Sequence, residues 1–564
     1  MNNTALVLLL VCLTSLLGCS ETAPPPTQAD QPNIVLILVD DAGLMDFGAF
    51  GGEAETPNID TLAANGTKFT NFHTSPMCAP SRAMLLTGID SHQNGVPNLR
   101  LFLPSEVRKK PNYQGLLSTD VKTIATRLRN AGYATYMTGK WNLGHTDTTL
   151  PVHRGFDRSF ILDASGADNW ENRPYLPGQG APPWFEDDKP SNLPDDFYSS
   201  EFLVDKMLSY IDEGSGEDRP FFAYVALQAI HIPVQAPRSF VKKYENTYSE
   251  GWGRIREARF ERAKTLGLIS QSAVMGEMLD KFPTWDSLTE PEQRLAAKSM
   301  AVNAAMLDAM DFHIGRLIEK LKQQGDYENT IFVVTSDNGP EGSAPAMLPG
   351  MNAWLESVGY RRDLETLGEK GSFVFIGPQF ATAAAGPSAF FKFYAGEGGL
   401  RVPMIISGPG VPAGKQSHAF SFVTDVTPTL LELAGVTIDD KQSNTVHGRS
   451  WLPVLNGDSD RIYAEDEAIG MEAGGQAALF RGNYKITRNN PPHGDGQWRL
   501  YDLSVDPGET RDLSHTNSAL FNELLSEYDN YANEVGVIEM PEGYELIKQI
   551  AINAAEAAAN PNQD

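Results

Sequence analysis

Short apolar segments rich in β-branched residues recur along the chain and are bounded by polar residues. They predict buried parallel strands over residues 34–39, 221–227, 331–335 and 402–406. Between them apolar residues recur at three- and four-residue steps, most clearly over 297–323, which predicts a long helix. Strands alternating with helices indicate an α/β fold with a large mixed, mostly parallel sheet sandwiched by helices.

The pattern changes after about residue 455, where short alternating segments replace the longer buried ones. This change predicts a smaller C-terminal α+β domain that carries an antiparallel sheet. A chain of 564 residues also exceeds what one compact core usually holds. We therefore expect a catalytic domain over residues 32–455 and a smaller domain over 456–564.

The first residues form an apolar run, 5–17, that is too short to span a bilayer and is typical of a signal peptide. The run ends in Leu-Leu-Gly-Cys, which resembles the lipobox of bacterial lipoproteins. It predicts a lipoprotein-type signal peptide over 1–19, lipid on Cys19 and a flexible tether over 20–31. We expect an exported protein, periplasmic or at the cell surface, lipid-anchored to the bacterial outer membrane. No Lys or Arg precedes Lys68, so a plain cleaved signal peptide or a buried N-terminal helix stays an alternative.

The net charge and the number of cysteines restrict the functions that the chain can have. The formal net charge is -27, which argues against a nucleic-acid partner, and an anionic substrate would need local positive charges. Of three cysteines, Cys12 and Cys19 belong to the leader and Cys78 is left for the folded body. A single body cysteine cannot form an intramolecular disulfide there, so its thiol serves either packing or chemistry.

Polar residues follow the predicted strands at the edge of the sheet where α/β enzymes bind ligands. They are Asp40, Asp41, Lys140, His231, Asp337 and Asn338. Any one of them could be a turn residue or a helix cap. The carboxylate and amide oxygens suit a hard cation such as calcium or magnesium better than zinc, and Asn338 favours calcium.

The segment around Cys78 reads Cys78-Ala79-Pro80-Ser81-Arg82. Pro80 suits a first helical position, and Gly88 can end the helix. This arrangement places Cys78 at a helix N-terminus, where free amides and the helix dipole stabilise negative charge, with Arg82 one turn later on the same face. The alternative is that Cys78 is a buried small hydrophobic residue.

The Cys-x-Pro-Ser-Arg segment resembles the signature of the type I sulfatases, formylglycine-dependent enzymes of the alkaline phosphatase superfamily. The resemblance extends over about residues 32–513. The segment from Ile376 to Lys392 is similar to the bacterial arylsulfatase branch. Further matching segments lie at 32–34, 139–141, 231–233, 336–339, 397–403 and 500–503.

The resemblance implies hydrolysis of sulfate esters, aryl sulfates or related organic sulfates, to an alcohol or phenol plus inorganic sulfate. It implies that a maturation enzyme converts Cys78 to formylglycine, the nucleophile. One calcium ion would be held by Asp40, Asp41, Asp337 and Asn338, with the oxidised Cys78 as a further ligand. Arg82 and Lys140 would orient the formylglycine, while His231 and Lys392 would bind the sulfate. The substrate would be a small sulfate ester or a sulfated glycan.

One position departs from the family pattern. Where the family usually has His after Gly-Lys-Trp, this chain has Asn142. That His is the usual candidate base for sulfate release, and an amide cannot accept the proton at neutral pH. His145 is a candidate replacement; otherwise turnover is slowed.

Two other functions stay open at this point. The same site could hydrolyse phosphate diesters or phosphonate monoesters, whose charge and shape resemble sulfate. Asn142 also allows a lipoprotein that binds sulfated glycans without catalysis.

Overall fold

The computed structural model describes residues 31–559 except 217–218, 280, 346–347 and 439–444. The strands are β1 Asn33–Val39, β2 Gly66–His73, β3 Ala134–Lys140, β4 Arg158–Leu162, β5 Trp184–Glu186, β6 Lys189–Pro190, β7 Phe221–Ala226, β8 Thr330–Ser336, β9 Arg401–Ser407, β10 Lys415–Ser417, β11 Ser421–Phe422, β12 Ala468–Ala473, β13 Gln476–Arg481, β14 Tyr484–Arg488 and β15 Trp498–Asp502. The helices are α1 Pro57–Ala64, α2 Cys78–Thr87, α3 Ser91–Asn94, α4 Ile124–Asn130, α5 Ser199–Gly214, α6 Arg238–Val241, α7 Gly251–Thr265, α8 Glu290–Gln324, α9 Met351–Ser357, α10 Gly377–Ala384, α11 Glu397–Leu400, α12 Val426–Leu433, α13 Leu452–Leu455, α14 Ser518–Val535 and α15 Leu546–Ala559.

The large sheet has the strand order β10-β2-β9-β8-β1-β7-β3-β4-β5-β6, with β11 also paired to β2. Its centre, β8-β1-β7-β3-β4, is parallel throughout. Strand β1 shows why the sequences of these central strands are continuous apolar runs. Val35 and Ile37 belong to the core cluster that includes residues of α5 and α8, whereas Leu36 and Leu38 belong to the cluster that includes α2 and α12. Both faces are covered, so the predicted α/β sandwich is confirmed.

The strand predicted at 402–406 is buried, but its predicted parallel direction is wrong. Strand β9 runs antiparallel to both of its neighbours, β8 and β2. An apolar run that is buried on both faces has no feature that distinguishes the two directions, because the connections to the neighbouring strands set the direction.

Two helix starts also differ from the expectation. Helix α8 begins at Glu290 rather than 297, since Thr289 and Glu292 form a capping box in a polar first turn. Helix α2 begins at Cys78, so Pro80 is its third residue rather than its first. Proline is tolerated there because the first-turn amides have no partner within the helix.

The smaller sheet is antiparallel, with the order β12-β13-β14-β15, as predicted. Helix α14 packs on it around Leu479, Ile486, Leu500 and Leu524. The boundary at residue 455 between two domains stays a prediction.

The predicted signal peptide, Cys19 and the tether up to residue 30 lie outside the described residues. Within the part of the chain that the structure describes, we found no helix of the length and hydrophobicity needed to cross a membrane.

Candidate active site

The topology of the large sheet brings the predicted residues to one edge. Strands β1, β3, β7 and β8 are parallel, so the residues at their carboxyl ends lie together. Strand β9 runs the other way, so the segment that precedes it, with Lys392, arrives at the same edge. Strand β2, antiparallel to β9, also ends there and leads through residues 74–77 into α2. Cys78 therefore enters the site from the opposite side of β1 to Lys140.

Cys78 is fully buried at the first residue of α2. The loop before it is fixed by Ser81, whose hydroxyl accepts from the backbone N–H of Ser75 (3.0 Å) and lies 3.2 Å from the Ser75 carbonyl. Burial raises the pKa of the Cys78 thiol, although Lys140 and Lys392 oppose this effect. The unmodified thiol is thus held in its neutral form close to positive charges.

Two buried cations are paired with predicted metal ligands. The Arg82 guanidinium donates from Nε to Asp337 Oδ2 (2.8 Å) and lies 3.7 Å from Asp40 Oδ1. Lys140 Nζ donates to both carboxylate oxygens of Asp40 at 3.0 and 2.7 Å. All four side chains are shielded from solvent, so these pairs hold the cations rigidly beside Cys78.

Asp41 and Asn338 are buried but incompletely bonded. Asn338 Nδ2 donates to Asp41 Oδ1 (2.7 Å). Asp41 Oδ2 and Asn338 Oδ1 have no hydrogen-bond partner among the described residues. Burial raises the pKa of Asp41 to about 8 against the opposing effect of Lys392. Unpaired buried oxygens are costly, so their presence indicates a site for a ligand.

The donor set fits a hard cation. Asp40, Asp41 and His231 each have a ligand atom within 4.8 Å of the others. Asp337 and Asn338 directly follow β8 and lie next to Asp41, since Asp337 Oδ1 accepts a hydrogen bond from the Asp41 backbone N–H (3.2 Å). Several carboxylate oxygens with an amide oxygen are typical of calcium or magnesium.

Lys392 is buried between two carboxylates. Its ammonium lies 2.7 Å from Asp41 Oδ1 and 3.0 Å from Glu341 Oε2. Burial lowers the pKa of Lys392, but these carboxylates outweigh it and hold the pKa well above its ordinary value. Glu341 is not among the site residues predicted from the sequence. It follows Asn338 by three residues, yet no local pattern marks that carboxylate as buried.

His231 is buried and neutral. Its Nδ1 lies 2.6 Å from the carbonyl of Ile232, and its Nε2 lies 3.9 Å from Asp41 Oδ2. Burial, with Lys392 and Lys140 adding to it, lowers the pKa of His231 well below its ordinary value. Nδ1 therefore donates to the carbonyl, and Nε2 is directed at the carboxylate.

Residues 32–436 match the family model described as Sulfatase. This chain belongs to the sulfatase family. Residues 388–531 match a second model, described as N-sulphoglucosamine sulphohydrolase, C-terminal. This second match crosses the predicted domain boundary.

Curated sulfatases resemble the chain over most of its length. An uncharacterized sulfatase of Schizosaccharomyces pombe is 34% identical over 540 residues, covering 92% of this chain and 96% of that protein. An arylsulfatase of Klebsiella aerogenes is 36% identical over 419 residues, covering 72% of this chain and 88% of that protein.

Solved structures agree with the fold. Ps i-CgsB in complex with k-i-k-neocarrahexaose has a TM-score of 0.64 and 25% identity, covering 94% of this chain and 98% of that one. BT4656 in complex with D-glucosamine-2-N,6-O-disulfate has a TM-score of 0.60 at 21% identity, covering 91% of this chain and 100% of that one. The chain is a sulfuric ester hydrolase, and these matches favour neither a phosphodiesterase nor a glycan-binding protein without catalysis.

The family position usually held by His contains Asn142, and the structure places it against Cys78. The Asn142 amide nitrogen lies 3.8 Å from the Cys78 sulfur, and its φ of +56° is one that Asn tolerates. His145, the candidate replacement, is more than half exposed and pairs through Nδ1 with Asp163 (2.7 Å). Its ring stacks on Phe185, so the described contacts of the ring are with Asp163 and Phe185 and not with Cys78.

Proposed function

We propose that this sulfatase hydrolyses organic sulfate esters with a formylglycine derived from Cys78 and one calcium ion bound by Asp40, Asp41, Asp337 and Asn338. One observation carries the metal assignment: Asp41 Oδ2 and Asn338 Oδ1 are buried without partners beside three further carboxylates. A calcium ion there supplies charge neutralisation, and a formylglycine at position 78 supplies a hydroxyl nucleophile and can contribute a further metal ligand.

The protein's own cations bind and orient the ester. Sulfuryl transfer spreads negative charge over the equatorial oxygens, and preorganised positive groups stabilise that charge most when water is excluded. Arg82 and Lys140 are fixed by Asp337 and Asp40 and lie beside residue 78. The first-turn amides of α2 add a partial positive charge from the same side.

We expect His231 and Lys392 to bind the sulfate group of the ester and to help its leaving oxygen depart. Lys392 Nζ carries a proton that it can share with an ester oxygen, and His231 Nε2 is free of a hydrogen bond within the described structure. Asn142 can donate a hydrogen bond to residue 78 but cannot remove a proton from it. We therefore expect release of sulfate to limit turnover.

The test combines peptide mass spectrometry of residue 78 with sulfate release, using protein made together with a formylglycine-generating enzyme. We expect a mass decrease matching thiol-to-aldehyde conversion and hydrolysis of 4-nitrophenyl sulfate that a chelator abolishes and calcium restores. Hydrolysis by the unmodified thiol, or hydrolysis unaffected by chelation, would refute the proposal.

The substrate class and location are also proposed. The arylsulfatase of Klebsiella aerogenes supports an aryl sulfate as the first substrate, and the carrahexaose complex of Ps i-CgsB supports sulfated oligosaccharides as the second. We propose export and lipid anchoring to the bacterial outer membrane through Cys19. Cys19→Ala should then release the protein from the membrane fraction; a variant that stays membrane-bound would contradict the anchor.

A further inference from the structure

Lys392 shares one of its two carboxylates with the proposed calcium site. Asp41 Oδ1 lies 2.7 Å from Lys392 Nζ in an ion pair, and it accepts a hydrogen bond from Asn338 Nδ2, also at 2.7 Å. A calcium ion on Asp41 would compete with the ammonium for the same negative charge and would repel it. Lys392 therefore needs a second anion to keep its position when the metal is bound.

Glu341 supplies that second anion. Its Oε2 lies 3.0 Å from Lys392 Nζ, and its side chain is 6% exposed. Its other oxygen, Oε1, accepts from the backbone N–H of Ser343 (3.1 Å) and is also bonded by the Ser343 hydroxyl. Burial raises the pKa of Glu341, but Lys392 and His231 outweigh it and hold the pKa below its ordinary value.

The backbone keeps the two residues together. The Lys392 N–H donates to the carbonyl of Pro340 at 3.0 Å, so the segment that carries Lys392 is bonded directly to the one that carries Glu341. The two residues are thus held near each other by a contact that does not involve Asp41.

The charge balance of the site agrees with this role. The buried carboxylates are Asp40, Asp41, Asp337 and Glu341, and the buried cations paired with them are Arg82, Lys140 and Lys392. Among the described residues of the site, four carboxylates thus face three cations. Without Glu341 the carboxylates and cations would be equal in number before a divalent ion enters.

We propose that Glu341 is a positioning residue, which holds the Lys392 ammonium so that Asp41 is left for the metal and Lys392 is left for the ester oxygen. The inference rests on the proposed calcium site. It adds that calcium binding and ester binding are coupled because both involve Lys392, and that Glu341 controls this coupling.

Calorimetric titration of calcium into the full chain tests the coupling without reference to activity. We expect Glu341→Gln to raise the calcium dissociation constant at least tenfold, because Lys392 then relies on Asp41 alone. In the Lys392→Met background the same change should raise it threefold or less. Glu509→Gln is the matched control, since Glu509 is a buried carboxylate 2.8 Å from another buried ammonium, Lys485, and should change calcium affinity less than twofold.

Kinetics on the modified, calcium-saturated enzyme provide the second readout. We expect Glu341→Gln to lower kcat at least tenfold with a smaller change in KM, and Glu341→Asp to recover part of the loss. Equal effects of Glu341→Gln on calcium affinity with and without Lys392, or no effect in either, would overturn the inference while leaving the proposed function intact. A wild-type chain that bound no calcium would refute the metal site itself, and the inference with it.

Discussion

Two regions of this sulfatase bury several charges, and they are built differently. The first, the site cluster, lies at the carboxyl edge of the large sheet. Its members are Asp40, Asp41, Arg82, Lys140, Asp337, Asn338, Glu341 and Lys392. The second, the seam cluster, joins the large sheet's layer to the small sheet. Its members are His73, Asp90, His92, Glu397, Glu472, Lys485 and Glu509.

The seam cluster is completely bonded. Lys485 of β14 lies 2.9 Å from Glu397 and 2.8 Å from Glu509, and His73 lies 3.0 Å from the other oxygen of Glu397. None of the seven side chains has a buried nitrogen or oxygen without a partner in the described structure. Strong pairing with Lys485 and His73 outweighs burial and lowers the pKa of Glu397 far below its ordinary value.

The site cluster keeps unpaired oxygens on Asp41 and Asn338 although it is buried just as deeply. A buried charge that is fully paired needs no further ligand. In the seam cluster such pairs connect the large sheet's layer to the small sheet. A buried charge that is not fully paired leaves an atom that a ligand, an ion or water can complete. Incomplete pairing, rather than burial or charge, thus distinguishes the site from the seam.

The largest expected effect is on sulfate release when Cys78 is replaced, with little change in stability. Cys78→Ala should lower sulfate release by at least about 10³-fold, because alanine has neither a thiol nor a hydroxyl that a maturation enzyme can oxidise to the aldehyde. The melting temperature should change by about 2 °C or less, since the contact of the Cys78 sulfur with the Asn142 amide nitrogen, at 3.8 Å, is weak. Parallel 4-nitrophenyl sulfate assays and calorimetry check this. Unchanged turnover would remove Cys78 from the chemistry.

The next prediction contrasts the two buried lysines. Lys485→Met should lower the free energy of unfolding by about 3–5 kcal/mol, because it leaves Glu397 and Glu509 buried without their cation. Lys392→Met also unpairs two carboxylates, but calcium can replace the lost charge there. At a fixed calcium concentration, about 100 times the wild-type dissociation constant, the wild type should gain about 2.7 kcal/mol, and Lys392→Met should gain more because it lacks the ammonium that competes with calcium for Asp41.

Chemical denaturation with and without calcium measures both variants. Calcium should bring Lys485→Met no benefit beyond what it brings the wild type. The distinction between the site cluster and the seam cluster would be contradicted if calcium stabilised Lys485→Met more than the wild type. It would also be contradicted if calcium gave Lys392→Met no extra stabilisation.

The seam should also depend on pH. His92 lies 3.0 Å from Asp90 and 2.8 Å from Glu472; burial lowers its pKa, but these carboxylates outweigh it and raise the pKa to about 9. With an unfolded pKa of about 6.5, the resulting stability, about 3 kcal/mol, is fully present below pH 6.5 and is lost as pH rises through 9.

Urea unfolding at pH 6 and pH 9.5 measures this loss. The wild type should lose more stability over that interval than His92→Gln, whose side chain does not titrate. Parallel losses in the two proteins would assign the pH dependence to other groups.

The smallest expected effect concerns the departure from the family pattern. Asn142→His should raise kcat about tenfold by providing a base at the position 3.8 Å from residue 78. It should cost about 1 kcal/mol of stability, because φ is positive there. Asn142→Gln, which keeps the amide, is the control and should not be faster. If histidine brings no gain, another group accepts the proton, and His145→Gln becomes the variant to assay.

Much of the large sheet and the family signature could be predicted because both depend on local pattern. The apolar runs of β1, β7 and β8 mark buried strands, and the polar residues directly after them mark the edge of the sheet. The segment around Cys78 resembles the family signature by its residue types alone. Its neighbour Asn142 was recognised as a departure for the same reason.

The sequence by itself thus determined which residues follow the central strands and which segment matches the family signature, because strand ends and the Cys78 motif are contiguous stretches of chain. Tertiary structure alone decided the direction of β9, the burial of Glu341 and its pairing with Lys392, and the complete bonding of the seam. These depend on contacts between residues tens to hundreds of positions apart, such as Glu397 with His73. Hydrophobic periodicity reports only how one segment meets its surroundings, so whether a buried charge finds a partner is set by the other segments that fold against it.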